Sequence, residues 1–517
     1  MLNGGMTVRF IARLAIALAT LISSAILCSG QSPPPPPPDF DGGTAVVSDT
    51  DSPGSPSLTP PTSVSGAWIS DKGATRSPEP LPGSAPITIL PPVQATYGAP
   101  AGAMGSAEGG AVASDMDAQG AGGDCANDLF GPFGNGKPHP HCQFNDMWTD
   151  LQSHRRIWVQ TDYISWWAKG NPLPPLVTTS PLGTPQSEAG VLPESATTSI
   201  LFGNGRTDGQ TRNGGRINFG YWLIDGEFLG IEGQYFGLAQ QTTSFNTSPD
   251  QTPIIGRPFL NVDPSLLTPQ QDAALVSFPG FDIGGVPGNL TGSIDIRTTS
   301  TIQGAGGLFR GLIWVDFTSG RRLDWLAGYR FLQIGDSVTI NDQFTASGGF
   351  LAPATFTSQD LFSARNQFHG GDFGLKGQQY FGRLSIELVG KVALGQNSER
   401  VYINGSNSVT TLGTTVTGVG GLLTQPTNIG QYTRDVFAVV PEANANLRFD
   451  VLHNLRLTMG YTFIYINRVQ RSGDAIDTTL NPTQIGGTLS GQPAPAFAFH
   501  DSTFWVHGVN AGFEYRW

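Results

Sequence analysis

Polar and apolar residues alternate strictly along residues 504–517, the last stretch of the chain. Every second position counted back from the end is apolar or aromatic: Val509, Ala511, Phe513, Tyr515 and Trp517. The positions between them are small or polar. Strict alternation places the two sets on opposite faces of one strand. An apolar outer face, a polar inner face and an aromatic end are typical of a membrane barrel, although an edge strand of a soluble sandwich could show the same alternation.

The same alternation recurs from residue 157 onward and predicts ten strands. The connections alternate in length, with long segments at 168–214, 240–293, 336–360, 396–435 and 467–502 and short ones at 225–226, 318–321, 377–383 and 450–454. Outer-membrane barrels combine short turns at one end with long loops at the other. We therefore expect an all-β fold, a closed antiparallel up-and-down transmembrane barrel over residues 151–517. Residues 337–358 could supply another hairpin, which would make twelve strands.

The first 150 residues differ from the rest of the chain. Residues 1–30 carry Arg9 and Arg13 ahead of an apolar stretch, which predicts a secretory signal peptide. Cys28 raises the question of a lipid anchor, but Leu27 stands where that processing prefers a small residue. Residues 31–150 are rich in Pro, Gly, Ser and Ala, so we expect a disordered leader in the periplasm.

Composition narrows the functional classes. Charged residues make up 13% of the chain, about half of the ~25% that is usual in soluble domains. Beyond the signal peptide no segment reaches about eighteen uninterrupted apolar residues, so a mature chain that spans a membrane must use strands. The net charge of −12 offers no basic surface for nucleic acid.

Two cysteines remain once the signal peptide is removed. Cys125 and Cys142 form an even pair in an exported protein, for which a disulfide is the default. His139 and His141 lie beside Cys142, so a zinc site is the alternative. The Pro- and Gly-rich surroundings and the export signal favour the disulfide, and we expect no metal and no other cofactor.

The polar face of the predicted strands carries charges of both signs. The candidates for the lumen are Arg216, Glu232, Arg310, Asp316, Asp324, Arg330, Glu387, Lys391, Glu442, Arg448, Arg456, Glu514 and Arg516. In a water-filled pore such charges would set ion preference. Opposite charges on neighbouring strands could instead pair and brace the wall. We favour bracing, because a ten-stranded barrel is narrow and porins with wide channels need about sixteen strands.

Aromatic residues on the opposite face predict girdles at the two membrane interfaces. These candidates are Trp167, Tyr221, Tyr235, Trp325, Tyr329, Tyr461, Tyr465, Tyr515 and Trp517. The alternative for them is ordinary core packing in a soluble sheet.

Enzyme motifs are scarce in this sequence. It has no Gly-x-Ser-x-Gly elbow, no P-loop and no His-Glu-x-x-His pair. His369, His500 and His507 could be proposed as bases, but none has a recognisable nucleophile partner. We interpret them as neutral histidines of the wall and expect no enzymatic activity.

Several segments of the sequence resemble a known family. They are WVQTDYISWWAKG at 158–170, GYRFLQIGD at 328–336, NQFHGGDFGL at 366–375, GKVALG at 390–395, VVPEANANL at 439–447, GYTFIYINRV at 460–469 and FWVHGVNAGFEYRW at 504–517. In this order they resemble the putative β-barrel porin family of bacterial outer membranes, over residues 155–517. The resemblance implies an outer-membrane barrel and leaves the leader outside it.

Two roles are compatible with this sequence. The leading expectation is porin-like passive diffusion of small hydrophilic solutes or ions across the bacterial outer membrane. The alternative is a structural or surface-binding barrel with no significant conductance. The expected partners are the lipid bilayer, the outer-membrane barrel assembly machinery and small hydrophilic solutes, but not nucleic acid.

Overall fold

A computed structural model describes residues 156–224, 227–283, 286–348, 353–485 and 487–517. The predicted signal peptide and leader lie outside these residues, as do Cys28, Cys125, Cys142 and the two histidines beside Cys142. Within the described residues the chain is all-β, with two short 3₁₀ helices at Gly473–Ala475 and Pro482–Gln484. No helix of this described part is long and apolar enough to cross a membrane.

Eighteen strands follow one another along the chain. They are β1 (Ile157–Ala168), β2 (Asn171–Leu173), β3 (Val177–Thr179), β4 (Ser199–Phe202), β5 (Gly205–Thr207), β6 (Thr211–Trp222), β7 (Leu229–Thr247), β8 (Ile255–Asn261), β9 (Gln270–Ile283), β10 (Val286–Asp316), β11 (Arg321–Gly348), β12 (Ala354–Phe381), β13 (Leu384–Thr411), β14 (Thr414–Val419), β15 (Gly430–Leu452), β16 (Leu455–Val469), β17 (Thr479–Leu480) and β18 (Ser502–Arg516).

Ten of these strands form a closed wall. In ring order they are β1, β6, β7, β10, β11, β12, β13, β15, β16 and β18, each antiparallel to its neighbours. The ring closes because β18 pairs with β1 and β10 pairs with β11. The prediction of ten strands is confirmed. The additional hairpin considered for residues 337–358 is not seen in the described part of that range, since residues 337–348 and 354–358 extend β11 and β12, which pair with each other.

The alternation in the sequence becomes an inner and an outer face of the wall. On β1, Asp162, Ile164 and Trp166 are buried, whereas Tyr163 between them is 59% exposed. Apolar side chains on the outer face can contact lipid at little cost in free energy, whereas the inner side chains pack against other protein groups.

Short turns join neighbouring wall strands at one end of the barrel, which we call the turn end. They occupy residues 223–228, 317–320, 382–383 and 453–454. Gly320 and Gly382 have φ angles of +63° and +61°, a left-handed conformation that favours glycine in tight turns. The long connections lie at the opposite end, which we call the loop end.

The wall is taller than a membrane. β12 and β13 contain 28 residues each, and a tilted membrane-spanning strand needs only about 9–11. The sheet therefore continues beyond the apolar band at the loop end, where the sequence suggested only loops.

Part of the long connections folds inside this tall wall. β3, β4, β8 and β9 pair into a small sheet, and β17 joins β8 in parallel. Loop residues such as Val177, Ile255 and Leu480 pack against inward wall residues such as Ile340 and Phe362, and all five are fully buried. The interior of the loop end is thus a packed apolar core.

A β-bulge in β10 overturns two assignments made from strict alternation. The register against β11 shifts between Leu312 and Trp314. Trp314, which would face inward if the alternation from Arg310 continued, is 49% exposed on the outer side. Asp316, predicted in the lumen, lies opposite the outward residue Arg321 and accepts hydrogen bonds from the backbone N–H of Thr318 and from the Ser319 hydroxyl. It shapes the turn and does not line the lumen.

Candidate functional site: the barrel interior

The remaining charged candidates all lie on the inner face of the wall toward the turn end. Except for Glu232 and Arg516, which are half-buried, their side chains are buried. The structure adds inward charges that the sequence reading left out: Asp162, Arg322, Asp372 and Lys376. Each of these stands at an inward position of its strand, so the period of two was the signal that could have found it.

These side chains form ion pairs across neighbouring strands, and we call the set the turn-end network. Arg310 pairs with Asp324 at 2.6 Å and with Glu232 at 3.0 Å. Arg448 pairs with Glu387 at 2.7 Å. Because the partners of each pair stand on adjacent wall strands, the pairs tie these strands together on the inner face.

One carboxylate is held from two sides. Glu442 pairs with Arg330 and with Lys391, whose Nζ lies 3.3 Å away. The same two cations also contact Asp372, at 3.2 Å from Arg330 Nε and 3.6 Å from Lys391 Nζ. A network in which every charge has more than one partner offsets the cost of burial better than an isolated pair.

The space left inside the network is small. A cavity of about 70 Å³ is lined by residues that include Arg216, Lys376, Glu387, Glu442 and Arg448. A buried water needs about 10–15 Å³ of space open to its centre, so this cavity has room for several waters. At the turn end, the ring of Trp222 lies under Arg310 and Arg322, with 4.8 Å and 5.2 Å from guanidinium carbon to ring centroid.

A layer of apolar side chains lies above the network, and we call it the apolar belt. Its buried members are Ile164, Trp166, Ala168, Phe236, Leu238, Ile302, Leu332, Ile334, Phe368, Ala393, Ala438, Val440, Ile464, Ile466, Val469, Phe504 and Val506. All face inward, and the rings of Trp166 and Phe236 pack with their centroids 5.2 Å apart. The sequence reading expected a polar lumen at this height.

Above the belt, loops are attached to the wall by buried charges. Arg257 of β8 pairs with Asp342 and Asp360 of the wall, at 2.6 Å each. Asp360 also accepts hydrogen bonds from the backbone N–H groups of Leu423 and Thr424 in another loop. One wall carboxylate therefore holds two separate loops inside the barrel.

A third loop is anchored in the same way. Arg471 pairs with Asp336 of β11, with 2.5 Å between Nε and Oδ2, and both side chains are buried. Asn366 of β12 accepts from the backbone N–H of Gln470 and donates to its carbonyl oxygen. We use the name loop-end core for the buried apolar residues around these attachments and for the loops that the attachments hold inside the barrel.

Residues 158–517 match the family model described as Putative beta barrel porin-7 (BBP7). The chain belongs to this beta barrel porin family. A search of curated proteins found no match.

Solved structures of other barrels show distant similarity to this beta barrel porin family member. The outer membrane protease OmpT from Escherichia coli is 8% identical with a TM-score of 0.31, covering 71% of this chain and 98% of that one. A Pseudomonas aeruginosa FadL homologue is 10% identical with a TM-score of 0.19, covering 76% and 96%. The P. putida toluene transporter TodX is 8% identical with a TM-score of 0.13, covering 73% and 94%. TM-scores this low carry no conclusion about this chain.

In a beta barrel porin the outer face of the wall meets lipid. The predicted girdle aromatics all lie on that face. Tyr465 and Tyr515 are half-buried there, and the others are exposed. Tyr221, Trp325, Tyr515 and Trp517 lie near the turn end, and Trp167, Tyr235, Tyr329, Tyr461 and Tyr465 lie farther along their strands.

Two of the wall histidines also lie on the outer face. Nδ1 of His369 is 2.5 Å from the Tyr329 hydroxyl, and Nδ1 of His507 is 2.6 Å from the Tyr461 hydroxyl. His500 belongs to a loop, where its backbone N–H donates to Gln470. Among the described residues no group of three or more His, Cys, Asp or Glu side chains could hold a metal ion.

Proposed function

We propose that this chain is a closed outer-membrane barrel that supports surface loops and has no significant conductance in the conformation described. This is the alternative role that the sequence left open. The lipid bilayer and the outer-membrane barrel assembly machinery are its proposed partners, and the proposal includes no catalytic step. The predicted signal peptide and periplasmic leader belong to the same proposal.

The continuous filling of the lumen carries this proposal. Along β11 the inward positions run from Arg322, Asp324 and Arg330 in the network, through Leu332 and Ile334 in the belt, to a third layer. That third layer begins with Asp336 and continues with Val338 and Ile340 against the loops. A hydrated ion would have to displace packed side chains in each of the three layers.

The loop end supports the surface-binding part of the proposal. Leu182 and Leu267 are 66% and 103% exposed on loops, and Val416 and Val419 on β14 are 67% and 68% exposed. Every residue of β14 is exposed. Apolar and threonine-rich tips of this kind can meet an extracellular partner, whereas the anchored parts of the same loops fill the barrel.

Planar-bilayer recording tests the closed state. Purified protein whose insertion is verified by heat-modifiable gel migration should give no stepwise conductance. The double variant Arg257→Ala with Arg471→Ala removes the cations that attach two of the loops and should produce irregular openings. Regular ohmic steps from the wild-type protein, equal to those of the variant, would overturn the proposal.

Passive diffusion of small hydrophilic solutes or ions is the second candidate. The porin family and the polar cavity of about 70 Å³ in the turn-end network favour it. This role requires the loop-end core to leave the lumen and the network to rearrange around water. Solute uptake by proteoliposomes that exceeds uptake by empty liposomes would support this candidate against the closed barrel.

A further inference from the structure

Two arginines face each other on the outer surface of the wall. Arg365 of β12 and Arg400 of β13 are directly opposite in the antiparallel register, and both are exposed. Directly opposite residues have Cβ atoms about 4.5–5.5 Å apart, and like charges in this position repel each other. The wall therefore holds two positive charges close together on one face.

These two arginines differ from the other arginines of the described residues. Arginines elsewhere in this part of the chain bind a carboxylate, an amide side chain, a backbone carbonyl or another partner, for example Arg216 to Asp162 at 2.9 Å or Arg321 to Gln379 at 2.9 Å. Arg365 and Arg400 have no side-chain hydrogen bond or ion pair within the described residues. The two unpartnered guanidinium groups occur side by side.

The height of the pair relative to the membrane follows from the register. Phe331 and His369 are directly opposite each other on the outer face of β11 and β12, and Leu394 is the last apolar outward residue of β13 before Arg400. Arg365 lies four residues beyond His369. At about 3.3 Å per residue and a tilt of roughly 40°, that is about 10 Å above the level of His369.

The backbone of the pair lies a few ångströms beyond the layer of lipid headgroups. The headgroup layer adds about 5–8 Å to each side of the hydrocarbon core. Long arginine side chains can bend toward the membrane with their charged ends in the polar layer. Guanidinium groups rooted about 10 Å above the level of His369 can therefore reach the headgroup layer of the outer leaflet.

The chemistry of the pair selects an anion with several oxygen acceptors. Two adjacent guanidinium groups offer planar sets of N–H donors that match the oxygens of a phosphate, and a shared anion removes their mutual repulsion. We propose that Arg365 and Arg400 form a binding site for the phosphate of an anionic lipid headgroup in the outer leaflet. The site goes beyond the closed-barrel function and does not depend on it.

The surroundings of the pair are polar. Gln367 and Ser398 lie next to the two arginines on the same face, and Tyr402 follows Arg400 with 45% exposure. Asp435, opposite Ser398, is an exposed carboxylate near Arg400, but it forms no ion pair within the described residues. Its negative charge should weaken lipid binding without abolishing it.

Native mass spectrometry of the full-length protein in detergent tests this site. The probe is phosphatidic acid, and diacylglycerol with the same acyl chains is the lipid that lacks the phosphate. The wild-type protein should retain phosphatidic acid and not diacylglycerol. The double variant Arg365→Gln with Arg400→Gln should retain about tenfold less phosphatidic acid, because charge-assisted hydrogen bonds are lost.

The matched control removes the same charge from the same end of the barrel. Arg206 of β5 and Arg468, at the loop end of β16, are both exposed, and Arg206→Gln with Arg468→Gln should leave phosphatidic acid retention unchanged. Asp435→Asn should increase retention. In lipid-free detergent, the double variant at Arg365 and Arg400 should fold at least as stably as the wild type, since it relieves a repulsion.

The following results would contradict the proposed lipid site. Equal retention by the wild type and the Arg365/Arg400 variant would overturn the proposal, as would equal retention of diacylglycerol. Displacement of the lipid by an equimolar amount of inorganic phosphate would indicate a site for the free anion and no lipid site. Conductance plays no part in these readouts, so failure here leaves the proposed function standing.

Discussion

The two ends of the barrel interior are filled in different ways by the same wall. At the turn end, the filling comes from wall strands alone, and opposite charges such as Arg330 of β11 and Glu442 of β15 meet inside the lumen. At the loop end, the filling comes from apolar side chains of both wall and loops, such as Ile340 and Ile255. The first arrangement belongs to the wall itself, whereas the second depends on loops that have folded inward.

The difference determines where each region can fail. In the turn-end network a carboxylate that loses one cation keeps another, because Glu442 contacts both Arg330 and Lys391. At the loop end Arg257 is the cation that both Asp342 and Asp360 contact. We therefore expect the loss of a single buried cation to be more costly at the loop end than in the turn-end network, and this expectation can be tested.

The largest effect should follow from removing Arg257. Arg257→Met leaves Asp342 and Asp360 buried without their cation, which typically costs about 3–5 kcal/mol when a buried pair is broken. The free energy of unfolding, measured by urea titration of the barrel in lipid vesicles, should fall by this amount. Adding Asp342→Asn and Asp360→Asn should recover much of it, and a loss below about 1 kcal/mol in the single variant would contradict the role of the pair.

A smaller effect is expected for Lys391 in the turn-end network. In Lys391→Met, Glu442 and Asp372 keep their contacts with Arg330, so only part of their pairing is lost. The expected loss is about 1–3 kcal/mol, as for a charged group that keeps some of its partners. The same urea titration measures it. Arg330→Met, which affects the same two carboxylates, is the comparison and should cost more.

Trimming the apolar part of the loop-end core should cost still less. Ile340→Val removes one buried methylene from a fully buried side chain, and such changes typically cost about 0.5–1.5 kcal/mol. Ile386→Val, on the lipid-facing side with 41% exposure, is the matched control and should change the unfolding free energy less. Equal losses at both positions would mean that the loops do not pack tightly against the wall.

Much of the wall could be predicted from the sequence, because its rule is local. A period of two assigns the faces of β1 and β18 without any knowledge of neighbours, and alternating connection lengths then fix an up-and-down ring. The rule fails where the backbone departs from regular pairing. The bulge before Trp314 moved that residue and Asp316 to other faces, and it leaves no mark in the alternation.

The filling of the lumen was harder to predict, since it depends on contacts between distant segments. A sign was present on β1, where Ile164, Trp166 and Ala168 make the inner face as apolar as the outer one. Residues apolar on both faces indicate a strand packed on both sides. The partners of Asp336 and Asp360 could not be identified from sequence, because Arg471 and Arg257 lie on loops whose path is set by the packing itself.

The smallest effect is expected at the rim, where an exposed ion pair joins the end of β16 to the loop that contains Arg471. Arg468 Nε lies 3.5 Å from Asp501, and the two side chains are 46% and 44% exposed. Asp501 keeps Arg434 as a partner at 2.6 Å, so Arg468→Gln should change the unfolding free energy by less than about 0.5 kcal/mol. The difference should also vanish in high salt, which screens exposed pairs. A loss of unfolding free energy comparable to that of Arg257→Met would show that the loops are held at the rim. The difference in stability between the two ends would then depend on surface charge and not on the buried core.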